Sequence, residues 1–81
     1  MAGRTLHRLS PRRIETERKR GRFADGGGLY LQVGEKGTKS WLFRFMLDGK
    51  ARQMGLGAVH TISLPEAREA ALKCRKLLHE G

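Results

Sequence analysis

Arg44 and Gln53 carry the most specific chemistry that can be read from this chain. An arginine can donate two parallel hydrogen bonds to the O6 and N7 of guanine, and a glutamine can both donate to and accept from adenine. Arg44 lies in KSWLFRF (residues 39–45), where Leu42, Arg44 and Met46 alternate with Trp41, Phe43, Phe45 and Leu47. A period of two gives a strand with one apolar face and one mixed, basic face. Gln53 lies in DGKARQMGLG (residues 48–57), and Tyr30 and Gln32 lie in GGGLYLQV (residues 26–33). If the three segments pair antiparallel, Tyr30, Gln32, Arg44 and Gln53 share the mixed face and are the candidate base-reading residues. Lys36, Lys39, Lys50 and Arg52, near strand ends and turns, with Arg20 and Arg22 upstream, are candidates for phosphate contacts, which supply affinity without base identity.

The elements that must position these side chains follow from local pattern. Leu29, Leu31 and Val33 alternate with Tyr30 and Gln32, residues 34–38 offer a turn, and the second strand runs to Leu47. Asp48-Gly49 is a strong two-residue hairpin signal. It would pair Leu47 with Lys50, Phe45 with Arg52, Phe43 with Met54 and Trp41 with Leu56, placing the third strand over residues 50–56. A bulged turn would shift the pairing by one and exchange Arg52 for Gln53 on the mixed face. Ser63-Leu64-Pro65-Glu66 has the spacing of a capping box and starts a helix. Its apolar stripe is Leu64, Ala67, Ala71, Cys74 and Leu78, widened by Ala70 and Leu77, with Arg68, Lys73, Arg75 and Lys76 towards the rim or the opposite side. That stripe is expected to cover the aromatic face of the sheet, with Gly81 at the helix end. Upstream, Ser10-Pro11 predicts a short helix over residues 11–18, and residues 18–22 read as an extended basic link. The glycines at 26–28 read as a flexible lead-in to the first strand rather than a phosphate loop, since no helix opens after them. The fold class expected is α+β: a three-stranded antiparallel sheet packed on a C-terminal helix, with residues 1–22 as a basic arm and 23–81 as the domain proper.

Charge narrows the partner. The chain carries 17 Lys and Arg against 8 Asp and Glu, a net charge of +9 over 81 residues. Residues 1–22 hold eight cations against Glu15 and Glu17 (+6), and residues 23–81 hold nine against six acids (+3). Such a balance calls for a polyanion. A chain this short has no room for a deep catalytic cavity. Cys74 with His7, His60 and His79 forms none of the paired spacings of a structural zinc site, so neither metal nor cofactor is expected. No apolar run approaches the ~20 residues that span a bilayer, and the N-terminus lacks the apolar stretch of a signal peptide, which reads as cytoplasmic with no membrane partner.

DGGGLYLQV, KSWLFRF, LDGKARQMGLG and SLPEAREAA, in this order and spacing, resemble the N-terminal arm-type DNA-binding domain of prophage and genomic-island integrases of the tyrosine recombinase family. The resemblance runs from about Leu9 to Gly81. It departs from the family at Val59-His60, where members usually carry an aromatic–proline pair, and at Gly55, often a serine or threonine. The resemblance implies recognition of arm-type sites in double-stranded DNA during site-specific recombination and DNA integration. It also implies a bacterial, nucleoid-associated setting, with other protomers and DNA-bending proteins as further partners. The family's tyrosine nucleophile and its arginine, lysine and histidine helpers belong to a later catalytic domain, so this chain is expected to be a non-catalytic piece of a longer recombinase. Tyr30 belongs to the strand motif and is not the nucleophile.

Two other readings stand beside this one. An RNA-binding module could stack unpaired bases on Tyr30, although stacking platforms commonly use two or three aromatics. A protein-interaction module could use Leu42 and Met46 as an apolar patch, with the charge serving solubility. Arg44 could also be an ordinary surface ion-pair partner of Asp48 or Glu35.

Overall fold

The computed structural model describes residues 8–80. Residues 1–7 of the basic arm, His7 among them, and the expected helix end at Gly81 lie outside the described residues. The elements are α1 (Pro11–Thr16), β1 (Gly21–Gly26), β2 (Leu29–Val33), β3 (Lys39–Leu47), β4 (Lys50–Ala58) and α2 (Leu64–Glu80). The strands form one antiparallel sheet in the order β1-β2-β3-β4.

The expected three strands are four. Residues 21–26, GRFADG, have one large apolar residue, Phe23, among glycines and charges, so a period of two cannot be seen in them. Phe23 pairs with Leu31, and Arg22 with Gln32. The glycines at 27–28 are therefore the turn of a β1–β2 hairpin, not a loose lead-in. Gly28 has φ +91°, and a Cβ there would lie 2.8 Å from the Arg44 carbonyl oxygen and from the Phe43 ring. Its own carbonyl accepts from the Arg44 amide at 2.8 Å. Only glycine combines that φ with so close an approach to β3.

The β3–β4 hairpin follows the expected register from Leu47↔Lys50 through Phe45↔Arg52 to Phe43↔Met54. Asp48 (φ 51°) and Gly49 (φ 76°) both take the positive angles of a tight two-residue turn. Beyond Gly55 the register shifts: Leu42 still faces Gly55, but Trp41 faces Gly57, so the Trp41–Leu56 pair expected from the turn is displaced. A β-bulge inserts one residue opposite Trp41 and Leu42 and extends β4 to Ala58.

One face of the sheet is buried. Leu29, Leu31, Val33, Trp41 and Phe43 are each at most 2% exposed and pack with Leu64, Ala67 and Ala71 of α2. The Ser63–Glu66 capping box forms in both directions: the Ser63 amide donates to Glu66 Oε1 at 2.9 Å and the Glu66 amide to Ser63 Oγ at 3.3 Å. The Ser63 amide, followed by its hydroxyl, holds the Glu66 carboxyl below the usual carboxylate range. The helix stripe is buried over its first half only. Leu78 is 38% and Leu77 67% exposed, and both border an open apolar groove with Phe43, Phe45, Met54 and Cys74. The loop after β4 is tied to the core by Trp41 Nε1, which donates to the Ile62 carbonyl at 2.7 Å.

The N-terminal segment belongs to the same core. Leu9 and Ile14 are buried in it. α1 begins at Ser10, whose hydroxyl accepts from the Arg13 amide at 3.2 Å, with Pro11 in the first turn. The helix ends two residues short of the expected 18. Asp25, 1% exposed, binds this segment to α2. Its Oδ1 accepts from the Leu9 amide (2.9 Å) and from Arg68 Nη2 (2.9 Å), and its Oδ2 from Arg68 Nε (2.9 Å). Arg68 Nη2 also donates to the Leu9 carbonyl at 2.9 Å. The bond to Asp25 raises the Arg68 pKa further above its already high ordinary value, outweighing the desolvation that would lower it. Arg68 is thus no rim residue. It is the internal counter-ion of a buried carboxylate, a role that helical periodicity could not assign because the partner is 43 positions away.

Candidate nucleic-acid interface

The face of the sheet turned away from α2 carries the candidates. Residues directly opposite across antiparallel strands share a face. Tyr30 lies opposite Leu42 and Gln32 opposite Ser40, while Arg44 lies opposite Gln53 and Met46 opposite Ala51. All four base-reading candidates therefore stand together on one face, and the register leaves Gln53, not Arg52, beside Arg44. Arg52 pairs with Phe45 and belongs to the other face. A shallow depression of about 330 Å³ lies among Arg44, Phe45, Ala51, Arg52 and Gln53 at the β3–β4 end.

The side chains on this face hold one another. The Arg44 guanidinium lies over the Tyr30 ring, 5.5 Å from its centroid, a cation–π geometry that fixes the arginine without consuming its N–H donors. Among the described residues Arg44 forms no ion pair: Glu35 is bonded to Arg20 instead, at 3.1 Å between exposed groups. At the other end of the face, Arg22 Nε donates to Gln32 Oε1 at 3.2 Å. Leu42, although on this face, is only 7% exposed, whereas Met46 is 64% exposed.

The phosphate candidates are distributed around the rim. Lys36 is exposed in the β2–β3 turn, beside the Arg20–Glu35 pair. Lys50 is exposed at the opposite end, after the Asp48-Gly49 turn. Lys39 is differently placed: its Nζ donates to the carbonyl of Ile14 and, at 3.1 Å, to that of Glu15. It serves the C-terminal carbonyls of α1, where a cation offsets the helix dipole. Arg75, on α2, is likewise engaged internally, donating to the Gly27 carbonyl at 2.9 Å and pinning the β1–β2 turn.

Sequence reasoning placed Arg22 among the phosphate candidates rather than on the sheet face, and left the cluster around Asp25 unassigned. Arg22 belongs to the sheet face only because β1 exists, and the one signal for β1 was Phe23 followed by Asp25-Gly26. The Asp25–Arg68–Leu9 cluster, which holds β1 and the N-terminal segment against α2, left no local signal.

Among the described residues no helix is long and apolar enough to cross a membrane. A family described as "Arm DNA-binding domain" matches residues 8–81. The integrase of Enterobacteria phage P4 is 37% identical over 79 residues, covering 91% of this chain and 18% of that protein. The integrase of Shigella phage Sf6 and the prophage integrase IntS of Escherichia coli K12 are each 40% identical over 60 residues, covering 74% of this chain and 16% of each relative. The chain thus spans less than a fifth of the length of these relatives.

Proposed function

The chain belongs to the arm DNA-binding domain family, and from that premise we propose that it grips double-stranded arm-type sites with the outer face of its sheet, as the non-catalytic DNA-holding part of a phage-type tyrosine recombinase. The observation that carries this reading is the pairing of Arg44 with Gln53 on an exposed face, with the guanidinium held over Tyr30. A small antiparallel sheet can enter the major groove. There Arg44 would donate to guanine and Gln53 would engage adenine, with Tyr30 and Gln32 completing the face. Lys36, Lys50, Arg52 and Arg20 would approach phosphates from the rim. The basic residues of the first 22 positions add sequence-independent attraction. Cleavage and joining would belong to the rest of the recombinase, and the setting is bacterial DNA in the cytoplasm, with other protomers and bending proteins assembled on the same DNA.

Two observations weigh against the competing classes. Leu42, half of the apolar patch that a protein-interaction module would use, is 7% exposed. The one aromatic on the outer face, Tyr30, already has Arg44 over its ring, which leaves a poor platform for stacking unpaired bases.

The test is an amide NMR titration with a duplex selected from a random pool, against a scrambled duplex at the same salt. Selective shifts at Tyr30, Gln32, Arg44 and Gln53 are expected. Shifts confined to the first 22 residues, alike for both duplexes, would reduce the role of the sheet to a passenger. In the same assay Arg44→Ala is expected to lower discrimination between the two duplexes by ~1–3 kcal/mol. Equal losses on both duplexes would remove Arg44 from the reading set.

A further inference from the structure

We propose that Arg22 is a second guanine-reading arginine and that Gln32 is its positioning residue, so that the face reads two separated guanines rather than one. The inference rests on the sheet-face reading above and deepens it.

Arg20, just before β1, is bonded to Glu35. Arg52 lies on the face shared with Phe45. Arg22 is exposed, stands directly opposite Gln32 on the outer face, and donates only its Nε to Gln32 Oε1, at 3.2 Å. A guanidinium has five N–H donors in a planar fork. With Nε held, the two terminal amino groups remain, and they present two parallel N–H bonds matched to the O6 and N7 of guanine. Because a free arginine loses rotamer freedom on binding, one already oriented by a neighbour binds at a smaller entropic cost. The same bond changes the role of Gln32. Reading adenine requires its amide to accept as well as donate, and one of the two lone pairs of its carbonyl oxygen already accepts from Arg22.

The pair Arg22·Gln32 thereby repeats, with a hydrogen bond, what Arg44·Tyr30 achieves with a ring face. The two pairs lie at opposite ends of the face: Gln32 faces Ser40, and Arg44 is four residues further along β3. At ~4.8 Å per strand and ~3.3 Å per residue, two strands across and four residues along separate the arginines by about 16 Å. That is on the order of five base-pair rises of ~3.4 Å.

The experiment uses the 81-residue chain and duplexes selected by it from a random pool. Each guanine of the selected site is replaced in turn by 7-deazaguanine, which lacks the N7 acceptor, and affinities are read by fluorescence anisotropy. Two guanines about five base pairs apart should each show roughly tenfold weaker binding on replacement, the scale of one good arginine–guanine pair. Arg22→Ala should erase the sensitivity at one guanine and keep it at the other, and Arg44→Ala should do the reverse. Gln32→Ala should weaken discrimination at the Arg22 guanine while leaving the dependence on salt unchanged. A merely structural role for Gln32 would instead change the affinity for all duplexes together. The inference is overturned if Arg22→Ala weakens all duplexes alike and makes the log–log salt slope shallower by about one, which marks a phosphate contact. It is also overturned if only the Arg44 guanine is sensitive, an outcome that leaves the sheet-face reading standing. Absence of any preferred duplex would remove both.

Discussion

Arg68 and Arg44 are both arginines held by a neighbouring side chain, yet they belong to opposite faces of the sheet and to opposite uses of charge. Arg68 gives Nε and Nη2 to the buried Asp25 and to the Leu9 carbonyl, and its side chain is 25% exposed. Arg44 is exposed and is steadied by the Tyr30 ring, which takes none of its donors. The first arrangement satisfies a guanidinium inside the fold, and the second orients one for a partner. A net charge of +9 therefore overstates what DNA can meet. Arg68, Arg75 and Lys39 hold the protein's own carboxylate and backbone carbonyls, while Arg22, Arg44, Lys36, Lys50 and Arg52 remain on the outside.

Breaking the internal side should have the largest effect. Asp25→Ala removes the carboxylate from a partly buried guanidinium and leaves the Leu9 amide without its acceptor. Removing one partner of a buried pair leaves an uncompensated charge, and the expected cost is about 3 kcal/mol. Against the roughly 4–12 kcal/mol available to a domain of this length, that is severe. By thermal unfolding the midpoint should drop by roughly 12–24 °C, at about 4–8 °C per kcal/mol. Below the lowered midpoint, discrimination between duplexes should persist. A drop of only a few degrees would show that Asp25 and Arg68 are effectively solvated and that the contrast with Arg44 is false.

Gly28→Ala should come next, at about 2 kcal/mol, because a side chain at φ +91° is strained and its Cβ meets the Arg44 backbone. The substitution also bears on the reading face, since the Gly28 carbonyl holds the Arg44 amide. Stability measured by denaturant titration should fall, and NMR should show Arg44 among the displaced amides. An unchanged Arg44 amide would mean that the β1–β2 turn does not help to position it.

Lys39 and Lys50 sharpen the comparison at smaller scale. Lys39→Ala should cost about 1 kcal/mol of stability through the lost bonds to the α1 carbonyls. Lys50→Ala should leave stability within ~0.5 kcal/mol and lower affinity for every duplex alike. Its log–log salt slope should become shallower by about one. If the two variants exchange these effects, the division between internal and outward cations is wrong.

How much of this was legible in the sequence depended on whether a residue's partner was near in the chain. Asp48-Gly49 and Ser63–Glu66 act across two to four positions, and both the hairpin register near the turn and the capping box followed from them. The shared face of Arg44 and Gln53 came with that register. The bulge opposite Trp41 and Leu42 did not, because it depends on Gly55 and Gly57 accommodating an extra residue once the sheet is formed. β1 was hidden for a related reason. Its residues are glycine, arginine, alanine and aspartate around a single phenylalanine, and it is a strand because Asp25 finds Arg68 and Phe23 finds Leu31, neither of which leaves a periodic trace. The apolar stripe of α2 was legible as a pattern but not in extent, since sequence does not show that Leu77 and Leu78 border an open groove.

The smallest expected effect concerns a carboxylate that, unlike Asp25, is fully open to solvent. Glu66 accepts from the Ser63 amide, and that bond, with the Ser63 hydroxyl next, lowers its pKa in the folded protein. A group with a depressed folded pKa contributes stability that is fully present above its unfolded pKa and is lost as pH falls through the folded one. Glu66→Gln keeps the capping geometry without a titrating proton. The stability difference between the original protein and Glu66→Gln should therefore be constant near neutral pH and shrink on acidification through the carboxylate range. Denaturant titrations at a series of pH values would follow it. A difference that stayed constant into acid would mean that the charge of Glu66, as distinct from its hydrogen bond, contributes nothing to the start of α2.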